Sequence, residues 1–129
     1  MNKKILIVLA TYYKDISEGL LKSALKSIPK SSRVKIIKVP GVFEIPVTLS
    51  KNLKKYDAFL ALGCVIKGQT PHFNFISQSC TSAIMYMSIN QKKPIGNGII
   101  TCLNMKQAKA RKKKGYEAAK AVFSVLSQR

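Results

Sequence analysis

Four short apolar runs, Ile5 to Leu9, Val34 to Val39, Ala58 to Ile66 and Ile95 to Thr101, are rich in β-branched residues and alternate with longer segments of helical periodicity. Runs this short and this apolar predict strands covered on both faces, because a strand with one wet face would alternate polar and apolar residues. Strand alternating with helix through the whole chain predicts an α/β fold: one parallel sheet with helices on both faces. Between the first two runs, Ile16, Leu20, Leu21, Leu25 and Ile28 recur at helical spacing while Lys22 and Lys26 lie four apart on the opposite face. Asp15 is the expected N-cap of that helix and Pro29 its stop. A second helix is expected from Pro46 to about Tyr56. A third starts after Thr70-Pro71, with Phe73, Ile76, Cys80, Ala83, Ile84 and Met87 on one stripe, and the tail from about Asn104 to Gln128 reads as one or two helices broken near Gly115.

Composition limits what this fold can be used for. The 129 residues are 47% hydrophobic, enough for a core, and the mean hydropathy is +0.03. Residues 1–129 therefore read as one folded domain. The net charge is +18, from 23 Lys plus Arg against 5 Asp plus Glu. Only Arg33, Arg111 and Arg129 are arginines, so the chain is poor in the residue that reads guanine edges. Met1-Asn2-Lys3-Lys4 before Ile5 to Ala10 imitates a secretory signal, but the apolar run stops at Thr11-Tyr12-Tyr13 and reads as a first buried strand. No run approaches the roughly 18 apolar residues of a membrane span. Cys64, Cys80 and Cys102 are odd in number and lack C-x-x-C spacing, which argues against a disulfide framework or a zinc site and fits a reducing cytoplasm.

Parallel sheets bind ligands beyond the carboxyl ends of their strands. There the sequence places Tyr12 and Tyr13 after the first strand, Gly41 to Glu44 after the second, Lys67 to His72 after the third and Cys102 to Asn104 after the fourth. His72, the single histidine, falls at a helix start, where the positive end of the dipole favours a neutral imidazole able to accept or donate a proton. A lone histidine more often caps or decorates a surface; its place at a strand end argues for chemistry. Glu44, one of few acids in a basic chain, can cap backbone N–H groups or accept hydrogen bonds from a polyhydroxy ligand. Phe43 and Tyr12 offer flat faces for a heterocycle, though core packing is the commoner use of either residue. Arg111 with Lys112, Lys113 and Lys114 precedes Gly115, where a helix start with free N–H groups and a guanidinium would hold phosphate; a solvated lysine face explains most of the run equally well. Cys64 and Cys102 read as small fillers, since no second histidine is present to activate a thiol.

Taken in order, Pro40-Gly41-Val42-Phe43-Glu44-Ile45-Pro46, Tyr56-Asp57-Ala58 and Ala61-Leu62-Gly63-Cys64-Val65-Ile66-Lys67-Gly68-Gln69-Thr70-Pro71-His72-Phe73 resemble the 6,7-dimethyl-8-ribityllumazine synthase family, which supplies the penultimate step of riboflavin biosynthesis. The resemblance runs from Ile5 to about Ala119. It implies a three-layer flavodoxin-like sandwich and condensation of 5-amino-6-(D-ribitylamino)uracil with 3,4-dihydroxy-2-butanone 4-phosphate, releasing phosphate and water. It implies no metal and no cofactor. Carried over residue by residue, Tyr12 stacks on the pyrimidine; Val42, Phe43 and Glu44 line it, with Glu44 on ribityl hydroxyls; and backbone groups of Cys64, Val65 and Ile66 read the uracil. Gln69 and Thr70 contact the phosphorylated ketone, His72 transfers protons, Arg111 binds phosphate and Lys114 lies near it. The implied partner is a second copy of the chain, with active sites between adjacent subunits of a homopentamer.

Some positions depart from the family pattern. Thr11, Lys67, Gln69 and Asn74 stand where Arg, Arg, Glu and Asp are frequent, Leu103 replaces a common acid, and Asn97 occupies a place where some members carry Phe, which leaves a backbone contact to substrate. The stretch from Arg111 to Gly115 is shorter than the loop of members that build 60-subunit shells, and little chain precedes the first strand, so a pentamer or two face-to-face pentamers are expected. The competing class is a basic module for nucleic acid or an anionic surface, which +18 alone supports.

Overall fold

The computed structural model of the chain describes residues 2–68 and 72–128. Its elements follow the sequence alternation: β1 (Lys4–Ala10), α1 (Lys14–Ser27), β2 (Arg33–Val39), a 3-10 turn (Val42–Glu44), α2 (Ile45–Asn52), β3 (Ala58–Ile66), α3 (His72–Gln91), β4 (Ile95–Cys102), α4 (Met105–Ala110) and α5 (Lys114–Leu126). All strand pairings are parallel, in the order β2-β1-β3-β4. With helices on both faces the chain forms the three-layer flavodoxin-like sandwich.

The two core clusters show why the inner strands are apolar from Ile5 to Ala10 and from Ala58 to Ile66. Ile5, Ile7 and Leu9 of β1 and Leu60, Leu62 and Cys64 of β3 pack with α1 and α5 on one face. Leu6, Val8 and Ala10, with Phe59 and Ala61, pack with α2 and α3 on the other. Successive side chains point to opposite faces, so both sets must be apolar. β2, an edge strand, is wetter, with Arg33, Val34 and Lys35 exposed.

Three boundaries differ from the sequence reading. Helix α1 is N-capped at Tyr13, with no side-chain cap, and Asp15 lies inside its first turn. Ser17 sets that start: its hydroxyl donates to the Ala10 carbonyl and to the Tyr13 carbonyl, tying the helix to the end of β1. Helix α2 stops at Asn52, before Tyr56, because Lys55 N turns back to the Asn52 carbonyl and Lys93 Nζ takes the Leu53 carbonyl. Tyr56 then meets Phe59 edge to face, at 6.1 Å between ring centroids.

The tail breaks at 111–113, ahead of Gly115, which sits inside α5. Its task there is tertiary. A Cβ at this position would run into the Leu20 carbonyl oxygen of α1 and come within 2.6 Å of Ser23 Oγ. Gly115 therefore lets α1 and α5 touch through their backbones, and Ser23 stitches the contact by donating to the Lys112 carbonyl and accepting from Tyr116 N.

The α3 stripe is as expected toward the core, with Cys80 and Ile84 buried and Ile76 and Met87 packed beside them. The opposite side is unusual. Phe75, Met85, Tyr86 and Ile89 are each about 60–70% exposed, and α3 has no Lys, Arg, Asp or Glu along its whole length. In a chain of net charge +18, this helix face stands out as uncharged and partly apolar.

Candidate functional site

Strand order turns at β1 and β3: the chain leaves β1 for β2 on one side and β3 for β4 on the other. That divergence opens a crevice at the carboxyl ends of these two strands. A cavity of about 380 Å³ occupies it. The loop between β1 and α1 contributes Tyr12 and Tyr13, the turn after β2 contributes Gly41, Val42 and Phe43, the end of β3 contributes Cys64, Val65 and Ile66, and α3 contributes His72 and Ile76. Seven of the residues named from the sequence, Tyr12, Val42, Phe43, Cys64, Val65, Ile66 and His72, thus meet in one place.

Each is set there by local structure. Phe43 rides on the 3-10 turn with its ring 67% exposed, while its neighbour Val42 is buried and anchors the turn. Glu44 holds the same turn: its Oε1 accepts from Gly41 N at 2.9 Å, so the capping reading of this carboxylate is realised, and its side chain does not line the cavity. Tyr12 is 76% exposed, and the Tyr13 ring meets it edge to face at 4.9 Å and 86°. β1 pairs with β3 only as far as Leu9 and Leu62, whereas β4 follows β3 to Ile66 and Cys102. The last turn of ladder on β3, from Gly63 onward, therefore has no strand on its β1 side, and its backbone polar groups there are available to a ligand. His72 opens α3 and is exposed.

Asn97, Arg111 and Lys114 lie apart from this crevice. With Ile99, Ile100 and Thr101 they surround a separate depression along the outer edge of β4. Arg111, the C-cap of α4, donates through Nη1 to the Thr101 carbonyl at 3.2 Å and contacts Cys102 Sγ at 3.9 Å. Asn97 Oδ1 accepts from Ile99 N at 3.0 Å. The expected anion nest at the start of α5 is not built as expected. Lys114 N and Gly115 N already bond to the Arg111 and Lys112 carbonyls, and Tyr116 N bonds to Ser23. What remains for an anion is the Arg111 guanidinium and the Lys114 ammonium. Gln69 and Thr70 lie outside the described residues.

The three cysteines are free and buried. Burial, with the neighbouring Cys102 as a lesser cause, pushes the Cys64 thiol up to about 12, so it stays protonated at neutral pH and is no nucleophile. Burial, then the Glu44 charge, raises Cys80. Tyr13, half-buried in the crevice wall, was placed at the strand end from the sequence but given no role there; its hydroxyl is raised by burial and by Tyr12 and Cys64. The signal available was a second aromatic directly after Tyr12, at a strand end. Among the described residues no helix is long and apolar enough to cross a membrane.

A family model described as 6,7-dimethyl-8-ribityllumazine synthase matches residues 2–129. Curated proteins of the same description are similar over nearly all of the chain. One from Bartonella bacilliformis is 42% identical across 89% of this chain and 79% of its own length. One from Bartonella tribocorum is 38% identical across 98% and 91%, and one from Cutibacterium acnes 37% across 96% and 80%.

Proposed function

Because the chain belongs to the 6,7-dimethyl-8-ribityllumazine synthase family, we propose that the crevice at β1 and β3 is where it condenses 5-amino-6-(D-ribitylamino)uracil with 3,4-dihydroxy-2-butanone 4-phosphate. The enzyme is a transferase of riboflavin biosynthesis. The observation that carries the site assignment is the meeting of Tyr12, Phe43, the open end of β3 and His72 around one cavity. The exposed Phe43 and Tyr12 rings sandwich the pyrimidine, and Tyr13 braces Tyr12. Backbone groups of Cys64, Val65 and Ile66 read its imide edge, and Val42 forms the apolar floor. Glu44 fixes the Gly41 turn with one oxygen and offers the other to a ribityl hydroxyl. Gln69 and Thr70, on the segment leading to α3, contact the ketone.

The 5-amino group attacks the ketone, water leaves to give a Schiff base, phosphate is eliminated to leave an enol that becomes a carbonyl, and the ribitylamino nitrogen attacks that carbonyl and closes the ring as a second water leaves. Each step moves a proton, and His72 at the cavity rim is the side chain positioned to carry it. Holding both reactants in register supplies much of the remaining acceleration. A nucleic-acid module is not favoured: its support was the net charge, and the cations near the site reduce to Arg111, Lys114 and Lys67, enough for one phosphate.

The phosphate-binding residues border a different cavity from His72. We therefore infer that a site is completed when the β4 edge of one subunit, with Asn97, Arg111 and Lys114, closes over the crevice of the next, in a pentamer or a pair of pentamers. The uncharged outer face of α3 supports such an assembly. Native mass spectrometry is expected to give five or ten copies, and a megadalton particle would refute this. The buried, unbridged cysteines support a reducing, cytoplasmic setting. For Arg111→Ala, the expected result is a KM for the phosphorylated ketone raised about 10- to 100-fold, the loss of a charged hydrogen bond, with the pyrimidine KM little changed. Equal changes in both KM values would contradict the assignment of Arg111 to phosphate.

A further inference from the structure

We propose that Cys102 is a positioning residue for Arg111, its buried sulfur and the Thr101 carbonyl together fixing the guanidinium as a phosphate receptor at the edge of β4. The inference rests on the assignment of Arg111 to phosphate made above.

An exposed arginine loses much of its affinity for an anion in ordering its own side chain. Arg111 is exposed and stands on a one-residue cap between α4 and the 111–113 turn, a place that by itself fixes nothing beyond its Cβ. Two groups from the last residues of β4 hold the far end of the side chain. Nη1 donates to the Thr101 carbonyl at 3.2 Å and sits 3.9 Å from Cys102 Sγ. A single acceptor leaves the guanidinium free to swing about that bond; a second acceptor on the same nitrogen fixes its plane. Neither acceptor is a carboxylate, so the arginine keeps its full charge for a ligand, and its other N–H groups remain for phosphate oxygens.

Cys102 is suited to hold a fixed point. It is 1% exposed and belongs to the core cluster that includes Cys64 and Ala108. Burial first, and the neighbouring Cys102 second, hold the Cys64 thiol protonated beside it. Cys64 in turn lines the crevice. Cys102 thus joins the floor of the pyrimidine pocket to the cation at the β4 edge.

The test compares Cys102→Ala, Cys102→Ser, Arg111→Ala and the Cys102→Ala/Arg111→Ala double variant, each checked for oligomeric mass and melting temperature. Cys102→Ala is expected to raise the KM for the phosphorylated ketone, and the Ki of inorganic phosphate, about three- to tenfold, the loss of one modest hydrogen bond. kcat and the affinity for a ribitylaminopyrimidine analogue should not move. Cys102→Ser should restore most of the difference, and it carries the test if the alanine variant does not fold. The double variant should bind phosphate no worse than Arg111→Ala alone. The proposal is overturned if Arg111→Ala raises the ketone KM while Cys102→Ala leaves it unchanged, if the two effects multiply in the double variant, or if Cys102→Ala degrades kcat and both affinities alike. Should Arg111→Ala itself leave phosphate binding unchanged, the phosphate assignment fails first, and this inference with it.

Discussion

His72→Ala is expected to lower kcat by about 100-fold, the lower end of what one positioned proton-transfer group supplies, while the affinity for a ribitylaminopyrimidine analogue changes by less than about threefold. The lower end is expected because the reactants meet through several proton transfers, any of which water can serve more slowly. The split follows from the proposed site: pyrimidine binding is assigned to Tyr12, Phe43 and the end of β3, whereas His72 enters the same cavity from a separate element, α3. Steady-state kinetics with both substrates, beside equilibrium binding of the analogue, measures it. Equal losses in turnover and binding would show His72 to be a wall of the pocket. The same variant tests the shared site. When His72→Ala and Arg111→Ala subunits are dissociated and reassembled at equal ratio, one interface in four pairs an intact His72 with an intact Arg111, so about a quarter of wild-type activity should return. No recovery would place both residues in one subunit's site.

Gly115→Ala is expected to cost about 2–3 kcal/mol, a large part of the roughly 5–15 kcal/mol that holds a domain together, and to lower the melting temperature by about 10 °C. The added methyl would meet the Leu20 carbonyl oxygen, backbone that can move only if α1 moves with it. Separating α1 from α5 also removes the bonds that Ser23 makes to the Lys112 carbonyl and from Tyr116 N, which fix the turn carrying Arg111. Surviving protein should therefore show weakened phosphate binding as well. Gly68→Ala, where a Cβ would meet nothing within 4 Å, is the control and should melt with the wild type. Thermal unfolding by circular dichroism reads both; a Gly115→Ala melt indistinguishable from wild type would mean the two helices do not rely on backbone contact.

Gly115 also shows where sequence reading reached its limit. As a local signal, a glycine after a run of lysines reads as a break, and a break before a helix reads as an anion nest. The residue is instead demanded by Leu20 and Ser23, nearly a hundred positions away, a partner that no local pattern encodes. Cys102 read as a small filler for the same reason, since its contact with Arg111 depends on how β4 and α4 fold together. Asp15 misled as a cap because Ser17, bonded back to Ala10, fixed the helix start two residues earlier than the acid suggested. The strands were legible almost to the residue, because burial on both faces makes β1 from Ile5 onward and all of β3 continuous apolar runs. The crevice was legible through a rule of topology: residues that follow parallel strands gather at one edge, which brought Tyr12, Phe43, Cys64 and His72 together. That rule is silent about chain-to-chain contacts. The separation of Arg111 from His72 appears only once β4 is seen as an outer strand.

The net charge of +18 takes on a narrower meaning in this fold. Lysines occupy the helix faces of α1, α4 and α5, as at Lys22, Lys26, Lys106, Lys109 and Lys120, while α3 carries none. A basic outer layer and one neutral helix face confine the charge to surfaces where solvent and salt screen it.

The most direct measurement gives the purified protein both 5-amino-6-(D-ribitylamino)uracil and 3,4-dihydroxy-2-butanone 4-phosphate and determines the mass of what forms. The account predicts a fluorescent product with the mass of 6,7-dimethyl-8-ribityllumazine and one inorganic phosphate released per product, at a rate far above that of the mixed substrates alone. Formation no faster than in the protein-free mixture, under conditions where a Bartonella relative turns the same substrates over, would contradict it.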